Sequence, residues 1–223
     1  MKVAIIVYHK NAQSIYPAHW IKNFKDSILN QTFKDFDIIE CHYGDGDFHI
    51  FFGDGSVDKD LHIIRKKHDN FANCLNEMLD YAFKEEDYDF VFNTNVDDYY
   101  APEWIEKLLA YRYYYHLVSS NYYLVKNDAI VLRHYFNELK IDVELAKDHN
   151  IICHPAVMYT KRFWFGFIGI DEGNRYNPAE IPFEDMKLWQ RALTNGYKFK
   201  IAPELLCYHR LHDNSVGHNL KEN

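Results

Sequence analysis

The stretch from Asp87 to Trp104, Asp-Tyr-Asp-Phe-Val-Phe-Asn-Thr-Asn-Val-Asp-Asp-Tyr-Tyr-Ala-Pro-Glu-Trp, constrains the fold of this chain more than any other. Tyr88 to Phe92 clusters aromatic and β-branched residues as a buried strand does. Asn and Asp follow at once, and Pro102 stands where the first turn of a helix would begin. A strand ending in carboxylates sets them on the carboxyl edge of a sheet, where open α/β sheets bind ligands. Adjacent Asp97 and Asp98 repel each other unless something cationic lies between them. Hard divalent ions such as Mg²⁺ or Mn²⁺ take such oxygens and share them with substrate phosphates. The residues alone leave two readings open. One is a metal–diphosphate site on Asp97 and Asp98 with Asn95 close by; the other is a polar loop that merely caps the next helix.

The flanking chain supplies the sheet that this strand needs. Val3 to Tyr8 is a continuous apolar run, expected of a central strand covered on both faces. Pro17 opens a helical pattern with Trp20, Phe24 and Ile28 on its apolar face. Asp35 to Cys41 reads as the second strand and ends in the turn-rich Tyr43-Gly44-Asp45-Gly46-Asp47. A β-α-β crossover of this length joins parallel strands. Phe48 to Phe52 and Leu61 to Ile64 are short strand candidates. Asn70 to Phe83 carries Phe71, Cys74, Leu75, Met78, Leu79 and Ala82 at helical spacing, and a further helix is expected from Pro102 to about Tyr111.

Beyond Tyr113 the alternation changes. Leu117 to Ser120 and Tyr122 to Val125 have strand character, with Asn127-Asp128 as a turn. The dense tyrosines here suit core, acceptor platform or oligomer contact, core being the simplest. Glu138 to Asn150 is a polar surface helix or loop. Ala156 to Tyr159 is a strand, Phe163 to Phe167 an aromatic run, and Gly166 and Gly169 lead a flexible loop into Asp171-Glu172-Gly173. Pro182 and Glu184 open a helix through Leu188, Trp189 and Ala192 that stops at Asn195-Gly196. Lys198 to Ala202 and Glu204 to Tyr208 are the final strands. The expected fold is a single Rossmann-like α/β domain with a mostly parallel central sheet flanked by helices and a small additional antiparallel sheet.

At 223 residues the chain can bury a sizeable core. Its formal charge of −8 argues against nucleic acid as the main partner. No stretch approaches the ~20 apolar residues of a membrane span; peripheral association stays open, as does oligomeric state. The apolar run after Met1-Lys2 is too short for a signal peptide. Cys41, Cys74, Cys153 and Cys207 form no CxxC or metal-type spacing and read as reduced, buried thiols of a cytoplasmic protein.

Six ordered segments, spanning about Val3 to Ser215, carry a resemblance. They are Ile5-Ile6-Val7-Tyr8; Ser27-Ile28-Leu29-Asn30-Gln31-Thr32; Asn70-Phe71-Ala72-Asn73-Cys74-Leu75-Asn76; Asn95-Val96-Asp97-Asp98 with Pro102; Phe183-Glu184-Asp185 with Leu188-Trp189; and Pro203-Glu204 with Arg210-Leu211-His212 and Ser215. Together they resemble the inverting nucleotide-sugar glycosyltransferases of the family-2 type, which have the GT-A fold. The resemblance implies a donor-binding half at about 1–112 and an acceptor-binding half at about 113–223. It implies Mn²⁺ or Mg²⁺ held by Asp97, Asp98 and His212, with His209 as runner-up, in a DxD-type motif. It implies a nucleotide-sugar donor, UDP-sugar first, contacted by Tyr8, His9, Asp45, Asn76, Asn95, Val96 and Asp97. Asp185 is the implied general base toward an acceptor hydroxyl on a glycan or related molecule, with Glu184 binding acceptor or orienting its loop. Without the resemblance, both acids read as charges that stabilise a helix N-terminus.

Three departures from the family pattern stand out. The first acid of the metal motif is Asn95. The acidic turn after the second strand is displaced, so Asp45 or Asp54 takes the base-contacting role, Asp45 fitting the spacing from Gln31-Thr32 better. The helix expected after that turn is shortened. No glutamine-arginine-tryptophan motif of processive polymerases is present, which favours transfer of one sugar. The alternatives are a sugar-nucleotide-forming nucleotidyltransferase, whose glycine-rich basic loop is missing from His9-Lys10-Asn11-Ala12, and a catalytically weak nucleotide-sugar-binding protein of the same fold.

Overall fold

The structure is a computed structural model that describes residues 1–43, 51–52, 60–64, 68–136, 141, 143–148, 150 and 152–213. Asp45, Asp54, Ser215 and most of the Phe48 to Phe52 strand candidate lie outside the described residues.

Strand β1 (Val3–His9) is buried along its whole length. Its side chains alternate between two cores, which is why the run is apolar without a break. Ala4, Ile6 and Tyr8 pack with helix α2 (Phe71–Asp80) and helix α4 (Glu184–Thr194). Val3, Ile5 and Val7 pack with α1 (Ala18–Leu29) and α3 (Trp104–Leu109). Parallel neighbours of β1 are β2 (Asp37–His42) and β4 (Phe90–Asn95). Beyond β2 lies β3 (Leu61–Ile64), also parallel.

The remaining strands extend the same sheet. β8 (Met158–Thr160) pairs antiparallel with β4 and with β6 (Leu117–Lys126). β6 runs parallel to the long β9 (Phe199–Arg210), and β9 ends antiparallel to β5 (Tyr99–Tyr100). β7 (Ala129–His134) hangs on β6 as a hairpin, its two turn residues Asn127 and Asp128 both at positive φ, 50° and 59°, as two-residue hairpins require. The sheet order is β3-β2-β1-β4-β8-β6-β9-β5. The antiparallel strands expected in a small sheet of their own therefore join the central one. Leu117 to Ser120 and Tyr122 to Val125 are one strand, and so are the two expected final strands.

Three local expectations are corrected. Trp20 leaves the apolar face of α1, because Ile21, Phe24 and Ile28 occupy it and the preceding residue points about 100° away. The helix after the acidic loop starts at Trp104, later than Pro102, because Tyr99 and Tyr100 first pair with Tyr208 and Cys207. Gly166 and Gly169 lie in and just after a wide, π-type helical turn, Trp164–Ile168, where a flexible loop was expected. A Cβ on Gly169 would sit 2.7 Å from Trp164 Nε1, so close packing demands glycine there. Trp164 is buried and stacked on Phe83 at 5.7 Å, while Phe165 stays exposed. No helix among the described residues is long and apolar enough to cross a membrane.

Candidate active site

The carboxyl end of β4 is held from both sides. Thr94 Oγ1 donates to the Ile6 carbonyl at 2.8 Å, and the Asn95 amide donates to Tyr100 Oη at 3.0 Å. Gln31, fully buried at the end of α1, donates to the Ala101 carbonyl at 2.8 Å and accepts from the Ile105 amide at 3.1 Å. That one side chain ties α1 to the segment behind the acidic loop.

Within the loop the neighbouring acids diverge. Asp98 is fully buried. Its Oδ1 accepts from the Arg210 amide at 2.8 Å, and both oxygens lie 3.1 Å from His209 Nδ1. Burial works against charge on His209, but the Asp98 carboxylate outweighs it and pushes the imidazole up to about 10. The sealed Asp98 carboxyl and the partly exposed His209 ring thus fix the end of β9 against the loop. Arg210 is almost fully buried, donates Nη1 to the Asp97 carbonyl at 2.7 Å, and lies over the rings of Trp20 (4.9 Å) and Tyr99 (4.7 Å). It orders the loop.

Asp97 points the other way. Its Oδ2 lies 2.9 Å from His212 Nε2, and both side chains keep some exposure, 15% and 11%. Tyr16 and Trp20 flank the His212 ring at 5.3 and 5.5 Å. Two neighbouring ligands of an octahedral ion at about 2.1 Å lie about 3 Å apart, so the Asp97–His212 pair fits a hard divalent cation as two cis ligands. Water and phosphate oxygens would complete its shell. Asp98 is spent on His209 and Arg210.

The expected donor contacts separate into groups. Tyr8 Oη donates to Asn95 Oδ1 at 3.1 Å. Burial pushes the Tyr8 phenol well up, so it acts as a neutral donor. Val96 is buried beneath the loop. His9 is turned inward: its Nε2 is 3.1 Å from Glu40 Oε1 and its ring stacks on Phe51 at 4.1 Å. Glu40 also accepts from the Phe51 and Phe52 amides. Asn76 spends its amide on the backbone of Tyr176, donating to the carbonyl at 2.8 Å and accepting from the amide at 3.2 Å. His9 and Asn76 hence order the walls of the site rather than face it.

Glu184 and Asp185 open α4, with Phe183 exposed before them. Asp185 Oδ2 accepts from Asn150 Nδ2 at 2.7 Å, and Oδ1 from the Met186 amide at 2.6 Å. Glu184 is 4% exposed, and its Oε2 has no hydrogen-bond partner among the described residues. Burial, then the charge of Asp185, pushes the Glu184 carboxyl up to about 7. His154 Nε2 lies 3.2 Å from Tyr176 Oη, and burial lowers its affinity for a proton while Asp185 raises it. Tyr176 in turn bonds to Tyr159. Asn150, His154, Tyr16 and Glu40 carry no sequence signal, since each gains its place only through a distant partner.

No protein-family profile matches the chain, and no curated protein matches its sequence. Solved structures do match the fold. S. aureus TarS 1–349 is 15% identical, with a TM-score of 0.69 over 94% of this chain and 60% of that one. The same protein in complex with UDP-GlcNAc gives 15% identity and a TM-score of 0.64 over 97% and 60%. The mannosyltransferase PcManGT from Pyrobaculum calidifontis, in complex with GDP-Man and Mn²⁺, gives 14% identity and 0.59 over 97% and 59%. The chain thus spans about three-fifths of the length of these structures. Its architecture is the GT-A glycosyltransferase fold.

Proposed function

We propose that the chain is a metal-dependent inverting glycosyltransferase of the family-2 type. It moves one sugar, a hexose or hexosamine, from a nucleotide-sugar to an acceptor hydroxyl on a glycan or related molecule. UDP-sugars are the first donors to test, since a structural neighbour is solved with UDP-GlcNAc; GDP-sugars follow, since another is solved with GDP-Man. One domain serves both substrates, with donor contacts from about 1–112 and acceptor contacts from about 113–223. The observation that carries the proposal is the meeting of Asp97 and His212, 115 residues apart in sequence, at 2.9 Å on the carboxyl edge of the sheet.

Asp97 and His212 would hold Mn²⁺ or Mg²⁺ against the diphosphate. Bound there, the ion supplies charge stabilisation for the departing diphosphate. The Asp98–His209 pair and Arg210 hold Asp97 at the right height, and Tyr8 orients Asn95 beside it. Asp185, steadied by Asn150, accepts the proton of the acceptor hydroxyl on the face opposite the leaving group. Glu184, at about 7, keeps a proton through much of the neutral range and donates it in a hydrogen bond to the acceptor.

Calorimetric binding of UDP with and without Mn²⁺ tests the donor site on wild type and Asp97→Ala. Metal-dependent binding lost in the variant supports the assignment. Equal binding without metal, or none by UDP, dTDP or GDP, overturns it. With a donor in hand, NMR of the product anomer tests inversion.

A further inference from the structure

A second cluster of ligand-type side chains lies away from Asp97. Cys41 is the penultimate residue of β2, Cys74 is in the first turn of α2, and His68 lies just ahead of that helix. Their sulfur and ring-nitrogen atoms all lie within 4.8 Å of one another. Both thiols are completely buried, and neither is in a disulfide. The Glu77 carboxylate lies 3.2 Å from His68 Nε2, one turn along the same helix from Cys74. The sequence shows none of this, because residues 41, 68 and 74 have no metal-type spacing.

We infer that Cys41, Cys74 and His68 form a binding site for a thiophilic divalent cation, Zn²⁺ foremost, separate from the oxygen-ligand site at Asp97. The donor set decides the ion. Two sulfurs and an imidazole match the tetrahedral preference of zinc, with Zn–S of about 2.3 Å and Zn–N of about 2.0 Å, and suit Mg²⁺ or Mn²⁺ poorly. At those lengths, tetrahedral ligand atoms lie about 3.5 to 3.8 Å apart, so the cluster closes by about an ångström. The Cys41 thiol beside it and burial push the Cys74 thiol up. Binding expels two protons, one from each thiol, and replaces two S–H bonds by two metal–thiolate bonds. Glu77 is placed as the carboxylate that imidazole ligands commonly pair with, and the fourth position goes to Glu77 itself or to water. The cluster bridges β2 to the start of α2, so an ion there would clamp the two elements together.

The inference stands apart from the proposed transfer reaction, and so does its test. Co²⁺ is titrated into the reduced wild-type protein and the thiolate-to-cobalt charge-transfer absorption is followed. The expected result is a tetrahedral cobalt spectrum saturating at about one ion per chain, displaced by Zn²⁺. Cys41→Ala, Cys74→Ala and His68→Ala are each expected to weaken Zn²⁺ binding by at least about tenfold. Asp97→Ala should leave the thiolate band unchanged, since oxygen ligands give none. Alkylation of the unmodified chain, read by peptide mass spectrometry, needs no variant: Zn²⁺ should protect Cys41 and Cys74 and leave Cys153 and Cys207 no less reactive. Absence of a thiolate band in the reduced protein, equal alkylation with and without Zn²⁺, or a Cys41–Cys74 disulfide with no cation binding after reduction would each overturn the inference.

Discussion

Replacing Glu184 by Gln should stabilise the protein increasingly as pH rises from about 4.5 to about 7, and by a constant amount above that. The side chain is 4% exposed and its Oε2 has no partner among the described residues, so its carboxylate form loses hydration that the Glu184 and Asp185 backbone amides only partly replace. Its carboxyl is at about 7 in the fold against an ordinary 4.5. A folded-state value raised above the unfolded one means that the native state holds the proton more tightly. The resulting stability is fully present below about 4.5 and is lost as pH rises through about 7. That interval is worth about 3 kcal/mol, reduced to about 2 kcal/mol by the solvent that still reaches the group. Gln imitates the protonated acid at every pH. Glu184→Gln should therefore match wild type near pH 4.5 and exceed it by about 2 kcal/mol near pH 9. For a chain of this length that is about 4 °C in Tm. Calorimetric melts of both proteins across this range measure it directly. A constant offset at all pH values, or a wild type equally stable near pH 9, would refute a buried, under-compensated carboxylate at the start of α4.

Other predictions concern the frame of the site. Asp98→Asn should cost about 2 kcal/mol in urea unfolding, because it removes the carboxyl partner of the partly exposed His209 ring; a loss under about 1 kcal/mol would mean that the loop does not depend on the pair. Gln31→Ala should cost about 2 kcal/mol by leaving the Ala101 carbonyl and the Ile105 amide unpaired, and a neutral result would show that water replaces the amide. Gly169→Ala should cost about 1 to 3 kcal/mol and shift tryptophan fluorescence, since its new methyl meets Trp164 Nε1 at 2.7 Å. An unchanged melt and spectrum would indicate that the turn has room to relax.

Much of this architecture is legible in local pattern. The unbroken apolar run Val3 to Tyr8 states that β1 is covered twice. The spacing from Phe71 to Ala82 states a helix, and Asn70 caps it by accepting from the Asn73 amide. The acids after β4 and those opening α4 are placed on their elements by the same logic, since periodicity and capping depend only on near neighbours. What sequence alone does not hold is who meets whom. Asp97 and Asp98 are adjacent and chemically identical, yet one faces His212 and the other is sealed against His209 and Arg210. Asn76 and His9 stand at fitting positions, but Tyr176 and Glu40 take up their polar atoms. Cys41, His68 and Cys74 converge because β3 and α2 return the chain beside β2. Each of these pairings joins segments far apart in the chain. They are set by strand order and by which side of the sheet an element packs on. No local spacing records either; only the folded chain does, because burial there leaves each charge and thiol the partners that the neighbouring strands bring.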